Sequence, residues 1–348
     1  MNSATSAYSI SMRKSGKEGL SRSDASKMTT KENRSSMKNR IDVSAIIPAY
    51  NAAVTIGSLV NKILSEPHVA IELIIVDDGS TDGTGNIIRQ IHDDRLILIE
   101  QANEGVYGAR NAALDIHRGE WVVFLDADDD IADGFIEKRW QAATVSQADV
   151  MIFNGWHSGA DSHRRAVHTK QPYEATLSGH EWLRLSVIHR EWPHYLWLQM
   201  VRSSYIKQHS LHFQSGKSHK DILWTVHLAA SNGRFCTLDI KDYIYINNKA
   251  SITHRPDYYD VRAISYVEVI EDIIQLADDK QNKKIKIFLY RHALVEARHF
   301  LGLYRKKGMD KSNVKTSFNK NISFISLFPG ISSLSDIFFF IKLMRKIF

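Results

Sequence analysis

Trp121-Val122-Val123-Phe124-Leu125-Asp126-Ala127-Asp128-Asp129-Asp130 joins a five-residue apolar run to four carboxylates within five positions. The apolar run reads as a buried strand and the carboxylates as the turn that ends it. Crowded acids repel one another, so a fold tolerates them best where a cation or a set of hydrogen-bond donors offsets the charge. A divalent metal is the natural candidate; an acidic turn that caps the following helix is the plainer alternative.

Three upstream segments support a site there. Val43-Ser44-Ala45-Ile46-Ile47-Pro48-Ala49-Tyr50-Asn51 is an apolar strand broken by Pro48, with polar and aromatic groups past its end. In an open α/β sheet that edge is where ligands bind. Glu72-Leu73-Ile74-Ile75-Val76-Asp77-Asp78-Gly79-Ser80-Thr81-Asp82 runs again from apolar strand into acids and turn residues, with Ser80 or Thr81 placed to cap a helix through Gln90. Asn103-Glu104-Gly105-Val106-Tyr107-Gly108-Ala109-Arg110-Asn111 is a glycine-bearing loop opening a helix with Arg110 in its first turns, suited to a diphosphate. Residues 43–130 thus alternate strand and helix, which predicts an α/β fold with a mostly parallel sheet and helices on both faces. No G-x-G-x-x-G follows the first strand and no G-x-x-x-x-G-K-[ST] occurs anywhere, so the dinucleotide and P-loop readings have no support.

In that order, Pro48-Ala49-Tyr50-Asn51, Val76-Asp77-Asp78-Gly79-Ser80-Thr81-Asp82, Asn103-x-Gly105 leading to Ala109-Arg110-Asn111, and Phe124-Leu125-Asp126-Ala127-Asp128-Asp129 resemble the motifs of family 2 glycosyltransferases with the GT-A fold. The resemblance implies an inverting hexosyltransferase of the kind that decorates bacterial lipopolysaccharide core, O-antigen or capsule, using a nucleotide-sugar donor, most simply a UDP-hexose, with Mn²⁺ or Mg²⁺. It implies donor binding through Pro48, Tyr50, Asn51, Asp77, Asp78, Arg110 and Asp126, with Tyr50 and Asp78 at the base. The D-x-D pair Asp126 and Asp128 is implied at the ribose and the diphosphate-bound cation, and hard oxygen ligands suit such ions. Asp128 and Asp129 remain alternatives as the direct ligand, while Asp130 and Asp133 are read as solvated or capping residues.

Inversion requires a carboxylate base that takes the acceptor hydroxyl's proton. The family carries it at the start of a downstream helix, and the matching segment is Ser218-His219-Lys220-Asp221-Ile222-Leu223-Trp224-Thr225. Asp221 is the expected base; the alternative is an acid favoured only by the helix dipole. Lys220 stands where the family has an acid, and a phosphate contact is one reading of it. Tyr243 to His254 resembles the family's closing strand and the turn after it, which puts His254 and Arg255 either near the diphosphate or in a surface loop. The aromatic-rich stretch 150–215, with Trp156, His157, Trp182, Trp192, His194, Tyr195 and Trp197, is expected to divide between acceptor pocket and core. No histidine pair at helical spacing recommends zinc.

With 348 residues and 43% hydrophobic content, the chain accommodates one catalytic domain with appendages. The expected division is a disordered basic segment over 1–40, a transferase domain over 41–255 with nucleotide (41–150) and acceptor (151–255) halves, and a basic helical extension over 256–348. Cys236, the sole cysteine, excludes an internal disulfide and suits a reducing compartment. Net charge is +6 over residues 1–40, −11 over 41–280 and +11 over 281–348, so the basicity belongs to the ends. Residues 1–40 are poor in large apolar groups and lack a signal peptide's apolar core, with Met28 or Met37 as alternative starts.

Residues 258–277 and 285–305 read as helices. In the last segment Leu334, Ile337, Phe338, Ile341, Met344 and Phe348 fall on one helical stripe with Lys342 and Lys346 beside it. Too short to span a bilayer, that helix is expected either at an anionic membrane surface or packed on the catalytic domain. The expectation is a peripheral protein on the cytoplasmic face of the membrane, acting on a saccharide or lipid-linked saccharide acceptor. No nucleic-acid recognition module is present in the sequence. Transfer to a polyprenyl phosphate, and a sugar-nucleotide or glycan-binding protein without catalysis, are the alternatives.

Overall fold

Alternate residues of the first strand, β1 (Val43–Ala49), face opposite sides of the sheet, and both sides are buried. That double burial is why its sequence reads as an unbroken apolar run. The computed structural model describes residues 40–158, 164–246 and 258–348. The readings made for residues 1–39 and for Ser251 to Arg255 lie outside them.

After β1 come α1 (Ile56–Leu64), β2 (Ile71–Asp77), α2 (Thr84–Arg89), β3 (Leu96–Glu100), α3 (Gly105–Ile116) and β4 (Trp121–Phe124). This is the alternation expected, and it builds a parallel block in the spatial order β3-β2-β1-β4. Two local expectations need correction. The first strand runs on through Pro48, because β4 pairs with β1 only as far as Ile46 and no ladder partner awaits an N–H at Pro48 on that side. The second helix starts at Thr84, not at Ser80 or Thr81: Asp82 accepts from the Thr84 N–H at 3.0 Å, while Ser80 and Thr81 bond to Asn51 instead.

The second half follows as β5 (Asp130–Ile131), α4 (Phe135–Ser146), β6 (Val150–Ser158), β7 (Arg164–Ala166), β8 (Ala175–Ser178), α5 (Gly179–His189), β9 (Gln199–Arg202), α6 (Ser203–Gln208), α7 (Lys220–Ala230) and β10 (Arg234–Ile246). Here β9 enters antiparallel between β4 and β6, β10 lies parallel to β6, and β5 runs antiparallel along β10. The short β5 matters, since it ties the acidic turn after β4 to the end of β10. A buried Arg139–Asp242 ion pair at 2.5 Å fixes α4 to β10, with the guanidinium packed between Phe135 and Phe153 and also donating to the Trp197 carbonyl.

Four longer helices and one short one close the chain: α8 (Tyr259–Asp279), α9 (Lys283–Tyr304), α10 (Lys311–Asn321), α11 (Phe324–Leu327) and α12 (Leu334–Ile347). They are not an appendage with a core of its own. Ala263, Val267, Leu289 and Phe300 share one apolar cluster with Ile46 and Phe124 of the sheet, whereas α1 and α4 fill the opposite face with Ile56, Val60 and Phe135. The helical layer over the first face is therefore part of what positions α3 and α7 at the strand ends.

Candidate active site

Two loops are laced together at the carboxyl edge of β1 and β2. The Asn51 N–H donates to Ser80 Oγ at 2.9 Å, Asn51 Oδ1 accepts from the Thr81 N–H at 2.9 Å, and the Ala53 N–H donates to Asp82 at 3.0 Å. Asn51 holds φ 51°, a left-handed conformation that Asn tolerates better than most residues. This lacing leaves Tyr50 presented to solvent at 55% exposure, while Pro48 stays in the strand behind it. Asp77 is buried and its Oδ1 accepts from the Ser80 N–H at 3.0 Å. Asp78, also buried, accepts from Gln101 Nε2 at 2.8 Å and from the backbone N–H groups of Glu104 and Gly105 at 2.9 Å. A carboxylate there meets free N–H groups at the start of α3, so Asp78 sets where that helix begins.

Arg110 projects from α3 into the interior, and its Nη2 donates to Asp126 Oδ1 at 2.7 Å. Its Nε is buried and has no partner among the described residues. In the acidic turn the four carboxylates have separate fates. Asp126 is partly exposed and faces Arg110; Asp128 is exposed. Asp129 is buried and accepts from the Tyr243 hydroxyl at 2.8 Å and from the Ile246 N–H at 2.9 Å. The same Tyr243 hydroxyl receives the Asp126 N–H, so β10 sets the shape of the turn. Desolvation, followed by Asp126, pushes the Asp128 carboxyl up from its ordinary value, and burial with Asp126 pushes Asp129 up to about 8. Asp130 pairs with Lys62 of α1, and Asp133 is exposed. Neither caps α4. Glu66 does so from another loop, accepting the Ile136 and Glu137 N–H groups at 3.1 and 2.7 Å.

Across a cleft of about 430 Å³ from Asp126 and Arg110 stands Asp221, in the first turn of α7. The Tyr107 hydroxyl donates to Asp221 Oδ1 at 3.2 Å and accepts the Lys220 N–H at 3.0 Å. One phenol therefore joins α3 to the start of α7 and orients the carboxylate. Burial, then the Asp221 charge, raises the Tyr107 pKa well above its ordinary value and keeps the phenol a donor. His194 Nε2 lies 3.8 Å from Asp221 Oδ2, and its Nδ1–H donates to the Trp192 carbonyl at 3.0 Å. His219, in a left-handed conformation at φ 63°, packs on Tyr266; burial pulls its pKa down to about 4, so it is neutral at pH 7.

The aromatic residues of this stretch divide between the cleft and the core. Tyr195, Trp197 and Tyr243 form a stack with ring centroids 5.2 and 4.2 Å apart, and Tyr195 and Trp197 line the cleft with His194. A side chain at Gly155 would meet Trp197 at 2.6 Å, so the stack depends on the bare backbone of β6. Trp182 and Trp192 pack against one another in the core, Trp156 lies beneath Lys241, and His157 sits edge-on to Tyr195.

Lys220 does not face the cleft. Its buried side chain turns to α8 and pairs with Glu268 at 3.1 Å and Asp272 at 3.8 Å, which removes the reading of a phosphate contact. Sequence reasoning also missed Tyr107 and Tyr243 as members of the site. The first lay inside a quoted motif and the second at the head of the closing strand, but no local pattern says where a phenol's hydroxyl points. Among the described residues no group of three or more His, Cys, Asp or Glu side chains is arranged to hold a metal ion. An ion at Asp126 and Asp128 would complete its shell with ligand oxygens and water.

Comparisons with known proteins bear on this arrangement. Residues 44–202 match the model of glycosyl transferase family 2. Over 226 residues the chain is 28% identical to YibD of Escherichia coli K12, described as an uncharacterized glycosyltransferase, covering 63% of this chain and 66% of YibD. Over 88 residues it is 49% identical to the Escherichia coli UDP-Glc:alpha-D-GlcNAc-diphosphoundecaprenol beta-1,3-glucosyltransferase WfaP, covering 25% of this chain and 35% of WfaP. The chain thus spans less than two thirds of the length of either relative. Among solved structures, S. aureus TarS 1–349 in complex with UDP-GlcNAc superposes with a TM-score of 0.65 at 21% identity, covering 82% of this chain and 83% of that one, a likeness of fold.

Proposed function

Since residues 44–202 belong to glycosyl transferase family 2 within a GT-A fold, we propose that the chain transfers a sugar from a UDP-sugar to a hydroxyl of a saccharide, with inversion, in the building of a bacterial surface polysaccharide. The observation that carries this is the single cleft with Arg110 and Asp126 on one side and Asp221 on the other. The acceptor oxygen attacks the anomeric carbon, its proton passes to the Asp221 carboxylate, and the bond from that carbon to the diphosphate oxygen breaks as the nucleotide leaves. Tyr107 holds the base in line, and the partly exposed Tyr195, backed by the buried Trp197, offers an aromatic ring to sugar C–H surfaces.

Tyr50, exposed above Asp77 and Asp78, is the base platform in this reading, with Pro48 and Asn51 fixing its loop. Arg110 keeps Asp126 oriented and brings its positive charge to the cleft where the diphosphate would lie. A divalent ion, Mn²⁺ or Mg²⁺, fits the exposed Asp128 beside the partly exposed Asp126, two hard oxygen donors two positions apart in the turn after β4. Asp129 is committed to Tyr243 and Ile246, which favours Asp128 as the ligand. When bound, the ion would offset charge on the departing diphosphate.

WfaP's name specifies UDP-Glc as donor and a diphosphoundecaprenol-linked sugar as acceptor, and TarS holds UDP-GlcNAc; these support a UDP donor and a lipid-linked saccharide acceptor here. Among the described residues no helix is long and apolar enough to cross a membrane. In this reading the chain works as a peripheral protein at the cytoplasmic face, reaching such an acceptor from the membrane surface. The test is UDP release from a panel of UDP-sugars, with and without Mn²⁺, for wild type, Asp128→Ala and Asp221→Asn. Turnover of one donor that needs metal and both carboxylates is expected. Full turnover by Asp221→Asn would instead indicate a phosphate acceptor that needs no base, and silence with every donor in the presence of membrane extract would leave a sugar-nucleotide-binding protein.

A further inference from the structure

The C-terminal helices leave an apolar face uncovered. In α12 the buried side chains are Phe339, Leu343 and Ile347, which fill the core against α9 and α10. The longer stripe of Leu334, Ile337, Phe338 and Ile341 points outward, with Leu334 74% and Phe338 72% exposed. Of the two placements the sequence left open for this stripe, packing on the domain is taken by the other face of the helix. The segment before it adds Ile325 and Phe328, 66% and 63% exposed. Ring contacts make the two stretches one surface, Phe328 meeting Phe340 at 5.9 Å and Phe324 meeting Phe348 at 5.7 Å. A contiguous apolar patch of this kind on a folded protein marks an interaction surface.

Its charge identifies the partner. Lys342 and Lys346 border the stripe along one flank, exposed, and Arg345 lies within it near the C-terminal end. At the other end of α12 a pocket of about 170 Å³ is lined by Arg190, Arg291 and Arg298 with Ser332, Ser333 and Asp336, the last paired with Arg298 at 2.6 Å. The segment from 281 to 348 carries a net +11. Two copies meeting through this face would bring two such segments together, a like-charge juxtaposition that opposes pairing. A bilayer with anionic headgroups matches both properties, taking the aromatic and aliphatic side chains into the interface and the lysines and arginines at the phosphates.

We infer that the face formed by Ile325, Phe328, Leu334, Ile337, Phe338 and Ile341 docks the protein on an anionic lipid bilayer. The inference deepens the proposed lipid-linked acceptor reading by naming the surface that brings the cleft to the membrane, but its test needs no sugar transfer. The full chain is sedimented with phosphatidylcholine vesicles with and without phosphatidylglycerol, at low and high salt. Binding is expected only with phosphatidylglycerol, weakening with salt. Lys342→Ala with Lys346→Ala should lower the partition coefficient by roughly thirtyfold. Phe328→Ser with Leu334→Ser and Phe338→Ser should abolish sedimentation while leaving the melting temperature close to wild type, since these side chains are 63%, 74% and 72% exposed. Asp221→Asn should sediment like wild type, which separates this surface from the catalytic reading. Absence of binding to phosphatidylglycerol vesicles, or a triple variant that binds as wild type does, overturns the inference. A wild-type dimer by light scattering that the triple variant dissolves, with no vesicle binding, assigns the face to a second copy and overturns it equally.

Discussion

Replacing Tyr107 with Phe deletes one oxygen and tests how the site is assembled. In the folded chain that hydroxyl accepts the Lys220 N–H at 3.0 Å and donates to Asp221 at 3.2 Å, and the ring is buried. Lys220 opens α7, so its N–H has no partner within the helix. Without the hydroxyl a buried donor is orphaned, which costs about 1–3 kcal/mol. In a domain of this size that corresponds to a fall in melting temperature of roughly 2–5 °C. The phenyl ring still fills the volume, so no cavity adds to the cost.

The kinetic effect separates from the thermal one. Among the described residues Asp221 then loses its one side-chain hydrogen bond and keeps the distant His194, so the carboxylate samples orientations away from the acceptor oxygen. Misplacement of a reacting group by about 1 Å costs up to a hundredfold in rate, so turnover should fall by about ten- to a hundredfold with the donor's KM unchanged. The assay is UDP release under donor saturation, beside a thermal melt. A melting temperature that falls while turnover stays within about twofold would refute the positioning argument and leave Tyr107 a helix anchor. An unchanged melting temperature would refute the anchoring itself.

Lys220→Met should lower stability by about 1–3 kcal/mol, because Glu268 and Asp272 of α8 lose their shared cation, yet leave UDP release close to wild type at permissive temperature; lost turnover with an unchanged melt would return Lys220 to the cleft. Arg139→Met breaks the buried pair with Asp242 and frees the Trp197 carbonyl, for an expected loss of about 3–5 kcal/mol that Asp242→Asn added on top should partly relieve; additive losses in chemical denaturation would contradict the pairing. His219 has its folded pKa pulled down to about 4 against 6.5 when unfolded, so the unfolded chain takes up the proton first and stability drains away as pH falls from 6.5 towards 4. His219→Asn, which keeps a residue tolerant of the left-handed backbone, should flatten that slope, and an identical urea midpoint profile in both proteins would sink the assignment.

The sequence was legible where local chemistry and position coincide. Apolar runs ending in Asp77, Asp78 or Asp126 announced strand ends, and the alternation between them announced the parallel block, because each element's period is set by its own residues. The four carboxylates after β4 announced a site but not their separate fates. Asp129 is spoken for by a tyrosine and a backbone N–H more than a hundred residues away, and only the return of β10 beside the turn decides that. Lys220 shows the same limit from the other side. Its neighbour Asp221 lines the cleft, and the resemblance drew the lysine there too; residues one apart on a helix point in different directions, and the partners that claim Lys220 lie on α8.

The last helix carries the limit furthest. Leu334, Ile337, Phe338, Ile341, Met344 and Phe348 make a longer apolar stripe than Phe339, Leu343 and Ile347, and periodicity alone would bury the longer one. Packing chose the shorter, because Phe339, Leu343 and Ile347 complete a core already closed by Phe300 and Phe318, and Asp336 on that same side is held by Arg298 at 2.6 Å. A hydrophobic pattern records how much of a helix avoids water, not against what. When both faces are apolar, the tertiary contacts claim one, and the face left over is a statement about surroundings the chain does not itself supply.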